Sequence, residues 1–504
     1  MTSEAKAMGK REGRKSLGTH ARQGVIWLSG SRAVEHILSF FISAILARLL
    51  TPADYGLLGM ATVILSFLGR FADLGTGTAI IQQRDLNDEK LSSIFWLNAL
   101  LGATSGGLLF LAAPLIARFY REPTVQPVIA VLAATVPLQA LAIVPDYLLR
   151  RRLQFDRWVA RGLSAVLAGG ALGLAIAAVG GGVWALVAQQ LGQASVGLVA
   201  LWIAVDWHPR LVFRAGDIRE ISGFTSGVVG FNFLNYLARN VDNLLIGRFL
   251  GSDPLGLYTL AYRLMRYPVQ TLSGVASQAL FPVFSRMQDD QNRLSSAYIR
   301  TARYILSLSI PITVGMALTA EDFLVVLFGP QWREASSLLT YLALASLLQP
   351  ATSLYTAVIW ARGYTRWQLR YATIQSGMLI VGFAVGLRWG SDGVALSYLI
   401  TTLASSLITV VLMFPKCGVG RTAFLQALGA PLASASLMVL VILLARVGLV
   451  LVGQTPQSAL GRLTVDVGVG AVVYVAAVCR LAPDLRNELD RHLRAVLTGV
   501  LALT

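Results

Sequence analysis

The sequence predicts an all-α integral membrane protein with about fourteen transmembrane helices. Three observations carry that expectation. Of the 504 residues, 55% are hydrophobic and only 13% charged, with a mean hydropathy of +0.64, which is too little charge to cover a soluble protein of this length. Apolar runs of roughly 20 residues, the length that crosses a bilayer, recur along the chain. Lys and Arg collect in alternate connections, as they do when every second loop faces the cytoplasm. The spans are expected to be helices, because hydrocarbon offers backbone groups no outside partner.

In order, a basic segment over 1–23, containing "KREGRKSLGTHARQG", precedes the first span. No short apolar stretch with a small-residue cleavage site comes before that span, so no removable signal peptide is expected. Spans are expected near 24–48, 55–81, 91–118, 125–148, 157–179 and 182–204, forming an N-terminal six-helix bundle over 24–204. The longest interruption, "VDWHPRLVFRAGDIRE", follows, and its part 205–216 is read as a cytoplasmic linker between bundles. Spans near 217–247, 254–283, 297–320, 335–360, 367–388 and 393–414 make a second six-helix bundle over 217–414. Two additional spans, near 423–446 and 463–480, occupy 415–481, and 482–504 is a cytoplasmic tail. Pro268 and Pro311, inside the eighth and ninth spans, suggest kinks.

The net charge of +16 invites a nucleic-acid reading, but its distribution argues for topology instead. With a cytoplasmic N-terminus, about 29 Lys/Arg fall in inside connections and about 8 outside, and an even number of spans returns the C-terminus to the cytoplasm. No nucleic-acid partner is expected. "RRRLQFDRW" has a second reading, as a holder of anionic lipid headgroups. Cys417 and Cys479 lack metal-ligand spacing, so neither a metal site nor a disulfide is expected, and no cofactor.

An internal repeat is visible. "ARLLTPADYGLLGM" lies 200 residues before "GRFLGSDPLGLYTL", with Arg48/Arg248, Leu50/Leu250, Gly56/Gly256 and Leu57/Leu257 matching. "LQFDRWVAR" and "RGYTRWQLR" both place an aromatic residue two positions before Arg-Trp, at the inner end of corresponding spans. Two halves in the same orientation fit a parallel-repeat transporter.

The unusual feature is charge within the apolar runs. Arg32/Glu35, Arg70/Asp73 and Arg239/Asp242 are each three residues apart, so each pair shares a helix face and partly neutralises itself. His36 extends the stripe of span one, Asn232 and Asn235 that of span seven, and Gln270 that of span eight. His36 reads as a polar cavity or packing residue rather than a metal ligand. The remaining spans are nearly free of interior charge. An Arg at the bilayer centre costs about 2.5–3.5 kcal/mol on insertion scales, so five of them are expected to line a water-filled cavity rather than face lipid. A static brace that fixes helix packing is the alternative for each Arg–acid pair. It fits Arg263 and Arg266 poorly, because no acid shares their stripe. Surplus positive charge calls for an anion, and the planar Arg fork suits phosphate oxygens.

The opening stretch "LARLLTPADYGLLGMATVILSFLGRFADLGTGTAIIQ", followed by "RRLQFDRW", resembles the polysaccharide-transporter branch of the multidrug/oligosaccharidyl-lipid/polysaccharide exporter superfamily, of the colanic-acid-exporter type. The resemblance covers nearly the whole chain. It implies two six-helix bundles in a V, with a central cavity bounded by spans one, two, seven and eight and two extra C-terminal helices. It implies a non-enzymatic flippase of the bacterial cytoplasmic membrane that moves undecaprenyl-pyrophosphate-linked oligosaccharide repeat units across the bilayer by alternating access. A polysaccharide polymerase and a chain-length regulator are the implied partners. Arg32, Arg70, Arg239, Arg263 and Arg266 fit the pyrophosphate role by position, and Glu35, Asp73 and Asp242 are candidates for a coupling proton or sodium ion. A peptidoglycan-precursor flippase is the close rival. Drug-cation efflux is disfavoured by the unpaired arginines. A membrane polymerase or glycosyltransferase is disfavoured because the outer connections are short and the longest, "ARVGLVLVGQTPQSALGRL", has no acid.

The charge asymmetry predicts that a topology reporter fused at Ser391 lies outside and one fused at Thr365 inside. Both reporters on one side would break the span order here.

Overall fold

The computed structural model describes residues 34–73, 76–77, 80, 86–216, 236, 240–287, 290–362, 364–451 and 458–483. Among these the regular structure is helical throughout. Contacts gather the chain into two units, Met1–Asp253 and Pro254–Thr504.

Unit 1 begins with α1 (34–49) and α2 (Pro52–Asp73). The corner between them is two residues long. Thr51 caps α2: its backbone N–H and its hydroxyl both donate to Asp54 Oδ2, at 2.9 and 2.7 Å, and the Asp54 N–H returns to Thr51 Oγ1 at 3.3 Å. This reciprocal box satisfies two N-terminal donors that hydrocarbon could not. Then come α3 (Asp88–Tyr120), α4 (Val125–Leu132) with α5 (Thr135–Arg151), α6 (Phe155–Ala178), α7 (Val183–Ala204) and α8 (240–249). Asn87 caps α3 by accepting from the Lys90 N–H at 2.8 Å.

The repeat seen in the sequence becomes a repeated corner. Leu250 and Gly251 separate α8 from α9 (Ser252–Arg286), as Leu50 and Thr51 separate α1 from α2. Gly251 turns the chain at φ +96°, where a Cβ would be strained. Gly56 lies against this corner: a Cβ there would sit 1.8 Å from the Ser252 carbonyl oxygen, so only glycine fits. The described part of the seventh span packs within unit 1. The Tyr236 hydroxyl donates to the Val63 carbonyl of α2 at 2.8 Å, and its ring lies 6.0 Å from that of Phe67.

The segment after α7 is strapped down. Trp96 Nε1 donates to the Arg210 carbonyl at 2.8 Å, the Arg210 and Arg214 N–H groups donate to Ser92 and Ser93 Oγ, and the Arg214 guanidinium pairs with Glu89 at 2.6 Å. Trp207 closes an apolar cluster with Phe95, Leu148 and Leu201.

Unit 2 continues with α10 (Gln291–Leu318), α11 (Ala320–Phe328), α12 (Ala335–Ala345), α13 (Gln349–Ser353), α14 (Tyr355–Ala361), α15 (Thr365–Gly386), α16 (Gly390–Ile408), α17 (Phe414–Cys417), α18 (Arg421–Leu451) and α19 (Ala459–Leu481). Pro268 and Pro311 lie inside unbroken helices. The tenth span, expected as one helix over 335–360, is instead broken before Pro350 and bent by 43°. Proline lacks the N–H needed to continue the ladder and disfavours helical geometry in the residue before it. A π-helical turn, Thr409–Met413, precedes Pro415. Beside it the Ser405 carbonyl accepts the Tyr371 hydroxyl at 2.6 Å.

Nine described helices are each long and apolar enough to cross a membrane, and ten if the bent pair is one span. This establishes the all-α multi-span fold; the count of fourteen stays an expectation. α9, which carries Arg263, Arg266 and Gln270, is not among the nine.

Near-absence of charge from the other spans does not hold. Asp146 of α5 and Asp466 of α19 are buried. Asp146 Oδ1 accepts from Trp158 Nε1 at 3.0 Å and Arg161 Nη1 at 2.7 Å, while Oδ2 pairs with Arg150 at 2.7 Å. Asp466 holds Arg446 of α18 through Nη2 at 2.6 Å and Nε at 3.1 Å, and the same Nη2 reaches the Leu318 carbonyl at 3.2 Å. Arg462 pairs with Asp322 of α11 at 2.6 Å. The last two helices are thereby tied to α10 and α11 by ionic clamps. In sequence these partners are 20 and 140 residues apart, beyond the reach of helix spacing.

Removing one side of the Arg446–Asp466 clamp leaves the other charge without a partner. We expect Asp466→Ala to destabilise the protein by about 3 kcal/mol, read as a lower thermal midpoint in detergent. Arg446→Leu/Asp466→Leu should recover most of the loss, because a matched apolar pair leaves no stranded charge. A double variant no better than the single would refute the clamp.

Candidate functional site

The candidate residues lie on the helices that flank the two repeated corners. In α1, Val34, Ile37, Phe41, Ile45 and Leu49 form an exposed apolar stripe, 48–57% accessible. Such a stripe suits contact with lipid chains. The opposite side changes along its length: Ser43, Ala47 and Leu50 are buried, whereas His36, on the same side and nearer the N-terminus, is exposed. Glu35 is half-buried and its carboxylate rests on α6, where a Cβ at Gly162 would lie 3.1 Å from Oε2.

α9 repeats the pattern. Counting from the corner, Gly256 is buried and Thr259 half-buried, with its hydroxyl enclosed and unpartnered. Arg263, Arg266 and Gln270 follow on the same stripe and are exposed. At 1.5 Å per residue, Arg263 and Arg266 lie about 17 and 21 Å from Ser252, deep in a core about 30 Å thick. Each helix therefore carries a polar stripe that is sealed next to its corner and opens away from it.

Arg266 is positioned by its own helix. With the Gln270 amide oriented oxygen-first, Arg266 donates to it from Nε at 3.1 Å and from Nη2. The guanidinium lies over the Tyr262 ring, 5.8 Å from its centroid. Tyr262 stacks on Tyr258 at 5.9 Å and meets Tyr398 edge-on at 5.8 Å. Tyr398 in turn stacks on Phe383 and accepts from Gln349 Nε2 at 3.0 Å. The sequence reading missed this aromatic row. Its signal was available: tyrosines at 258 and 262 continue the spacing of Arg266 and Gln270. Arg263 makes no ion pair or hydrogen bond among the described residues. Neither Arg263 nor Arg266 has an acidic partner there.

Asp242 sits differently from the exposed candidates. It is 1% exposed, and its Oδ1 accepts from the Asn243 N–H at 2.8 Å. Arg32, Arg239, Asn232 and Asn235 lie outside the described residues. Arg70 and Asp73 belong to α2, with side chains outside the described part. The structure thus brings together Arg266, Gln270 and Tyr262 on one stripe and Glu35 with Gly162. Among the described residues no group of three or more His, Cys, Asp or Glu could hold a metal ion, and both cysteines are free.

Residues 45–337, more than half of the chain, match the family model for "Polysaccharide biosynthesis protein". The chain belongs to that family. Its similar relatives include the teichuronic acid biosynthesis protein TuaB of Bacillus subtilis, 25% identical over 94% of this chain and 99% of TuaB. The succinoglycan biosynthesis transport protein ExoT of Rhizobium meliloti is 27% identical over 94% of this chain and 95% of its own. The lipopolysaccharide biosynthesis protein WzxC of Escherichia coli is 24% identical over 87% and 90%. The fold is shared with the lipid II flippase MurJ in an inward closed conformation (TM-score 0.73, 15% identity, 91% of this chain and 99% of MurJ). It is shared also with an inward-facing multidrug-resistance MATE transporter (TM-score 0.59, 17% identity, 75% and 94%). This family member is a multi-span membrane protein of polysaccharide biosynthesis.

Proposed function

We propose that the chain flips undecaprenyl-pyrophosphate-linked oligosaccharide repeat units from the cytoplasmic to the outer leaflet of the bacterial cytoplasmic membrane. The observation that carries this reading is the stripe of α9. Arg263 and Arg266 are exposed, lack an acidic partner among the described residues and lie deep along a membrane helix. A buried or membrane-embedded charge needs a partner, and here the partner is the substrate. Membership of a polysaccharide biosynthesis family supports a sugar-bearing cargo, and the fold shared with a lipid II flippase supports a lipid-linked one.

In this reading both termini are cytoplasmic, two six-span bundles (24–204 and 217–414) are joined by 205–216, and the helices of 415–481 are additional to them. The substrate's pyrophosphate leaves the headgroup region and exchanges water for guanidinium forks, Arg263 and Arg266 together with Arg32, Arg70 and Arg239 of the sequence-assigned set. Gln270 and Tyr262 hold Arg266 in one orientation, which lowers the ordering cost when the anion arrives. The lipid chain stays in the bilayer, and no covalent bond changes. Glu35, Asp73 and Asp242 supply the acids for ion coupling, and His36 and the asparagines of span seven the polar lining.

Arg266→Ala should abolish export while the protein still inserts, seen as lipid-linked repeat units retained in the inner leaflet. Arg266→Lys should restore part of it, because a point charge cannot reproduce a two-pronged contact. Unimpaired export by Arg263→Ala/Arg266→Ala would exclude α9 as the anion site.

Gly162 provides a second test. Gly162→Val would push against the Glu35 carboxylate, the mobile end of a side chain, so it should fold normally. We expect it, like Glu35→Gln, to blunt the response of transport to an imposed proton or sodium gradient. A normal gradient response from both variants removes Glu35 from coupling.

A further inference from the structure

The second repeat pair, "LQFDRWVAR" in unit 1 and "RGYTRWQLR" in unit 2, aligns Arg157 with Arg366, Trp158 with Trp367 and Arg161 with Arg370. The two copies differ in how their charge is met. In unit 1 every motif cation has a carboxylate: Arg161 and the Trp158 N–H are held by buried Asp146, and Arg157 faces Asp206 at 3.7 Å. Asp146 stands twelve residues before Trp158. Twelve residues before Trp367 stands Tyr355, whose ring packs edge-on against Tyr371 at 5.7 Å. The carboxylate that neutralises the motif in unit 1 is missing from its counterpart.

The consequence is a concentration of cations without acids. Arg362, Arg366, Arg370 and Lys416 make no ion pair among the described residues. Arg362 Nε is enclosed and has no hydrogen-bond partner. Arg366, Arg370 and Lys416 are exposed. Lys416 Nζ lies 2.7 Å from the centroid of the Trp367 ring, and the Arg370 guanidinium is 5.5 Å from it. Two of the cations thus meet one indole, and Arg366 and Arg362 stand one and five residues before it in the chain. The first turn of α15, which carries Arg366 and Trp367, has no acid, and Tyr364 supplies no side-chain cap, so its amide N–H groups add to the positive field. Trp360, Tyr364 and Trp367 are 55%, 45% and 42% exposed, and amphipathic rings of this kind settle at headgroup level. The charge asymmetry of the sequence leads us to expect this end on the cytoplasmic side.

We propose that Arg370 and Lys416, which flank Trp367, together with Arg366 and Arg362 of the same motif, bind the phosphodiester headgroup of an anionic membrane phospholipid at the cytoplasmic surface of unit 2. The indole and Trp360 meet the interfacial part of the lipid, and the guanidinium groups and the ammonium meet the phosphate oxygens. The site uses none of the α9 arginines, so its failure would leave the transport reading standing, and the converse.

The test is native mass spectrometry of the purified full chain titrated with phosphatidylglycerol or phosphatidylcholine. We expect phosphatidylglycerol to be retained preferentially. Each surface cation contributes about 1 kcal/mol to such binding, so Arg366→Gln/Arg370→Gln should weaken it roughly thirtyfold. Lys416→Gln, a single change on an exposed turn, should weaken it roughly fivefold. Arg286→Gln/Arg300→Gln, which removes the same charge from α9 and α10, should leave it unchanged. An equal loss in that control would reduce the effect to diffuse surface charge and overturn the site. Displacement of the lipid by millimolar inorganic phosphate, or no preference over phosphatidylcholine, would overturn it as well.

Discussion

A charge in hydrocarbon must have a partner or a path to water, and much of this protein follows from that constraint. Three solutions occur in one chain. Asp146 gathers Arg150, Arg161 and the Trp158 N–H around a buried carboxylate. Asp466 holds Arg446, which also reaches a backbone carbonyl, and joins two helices to a third. Arg263 and Arg266 have neither solution among the described residues and are left exposed on α9. The first two are structural, because both charges are satisfied within the protein. The third is the one that the proposed function assigns to the substrate.

The same constraint acts on the backbone. Helix ends and breaks are closed locally: Thr51 and Asp54 cap each other at the first corner, Asn87 caps α3, and Ser405 turns its carbonyl to Tyr371 beside the π-helical turn. The second corner is also a place of close packing within unit 1. Gly56 can approach the Ser252 carbonyl because it has no side chain. The glycine shared by the two corner sequences is, in the first copy, a packing requirement. The sides of α1 and α9 that carry the candidate residues are each sealed beside their own corner and open away from it.

Repeats let the protein be compared with itself. The Arg-Trp motif occurs in both units, but only in unit 1 does an acid stand twelve residues before the tryptophan. Asp146 against Tyr355, with Asp206 facing Arg157, separates a paired cluster from a cationic surface. Duplicated membrane proteins can diversify in this way without altering the helices, since the exchange occurs at an interface where water still screens part of the charge.

The sequence alone determined the fold class, because apolar length and loop charge are properties of composition and order. It also singled out Arg263 and Arg266 of α9, because no acid occurs on their stripe at helical spacing. The repeated corner was legible for the same reason, being local. What only the tertiary structure decided is which charges are paired. Asp466 with Arg446 and Asp322 with Arg462 join residues far apart in the chain, and a spacing rule of three or four residues cannot reach them. The Tyr262–Tyr398 contact, the bend before Pro350 and the rest of Glu35 on Gly162 belong to that class as well. Helical periodicity tells which residues share a face; the neighbour that the face meets is set by packing between segments that the sequence does not place side by side.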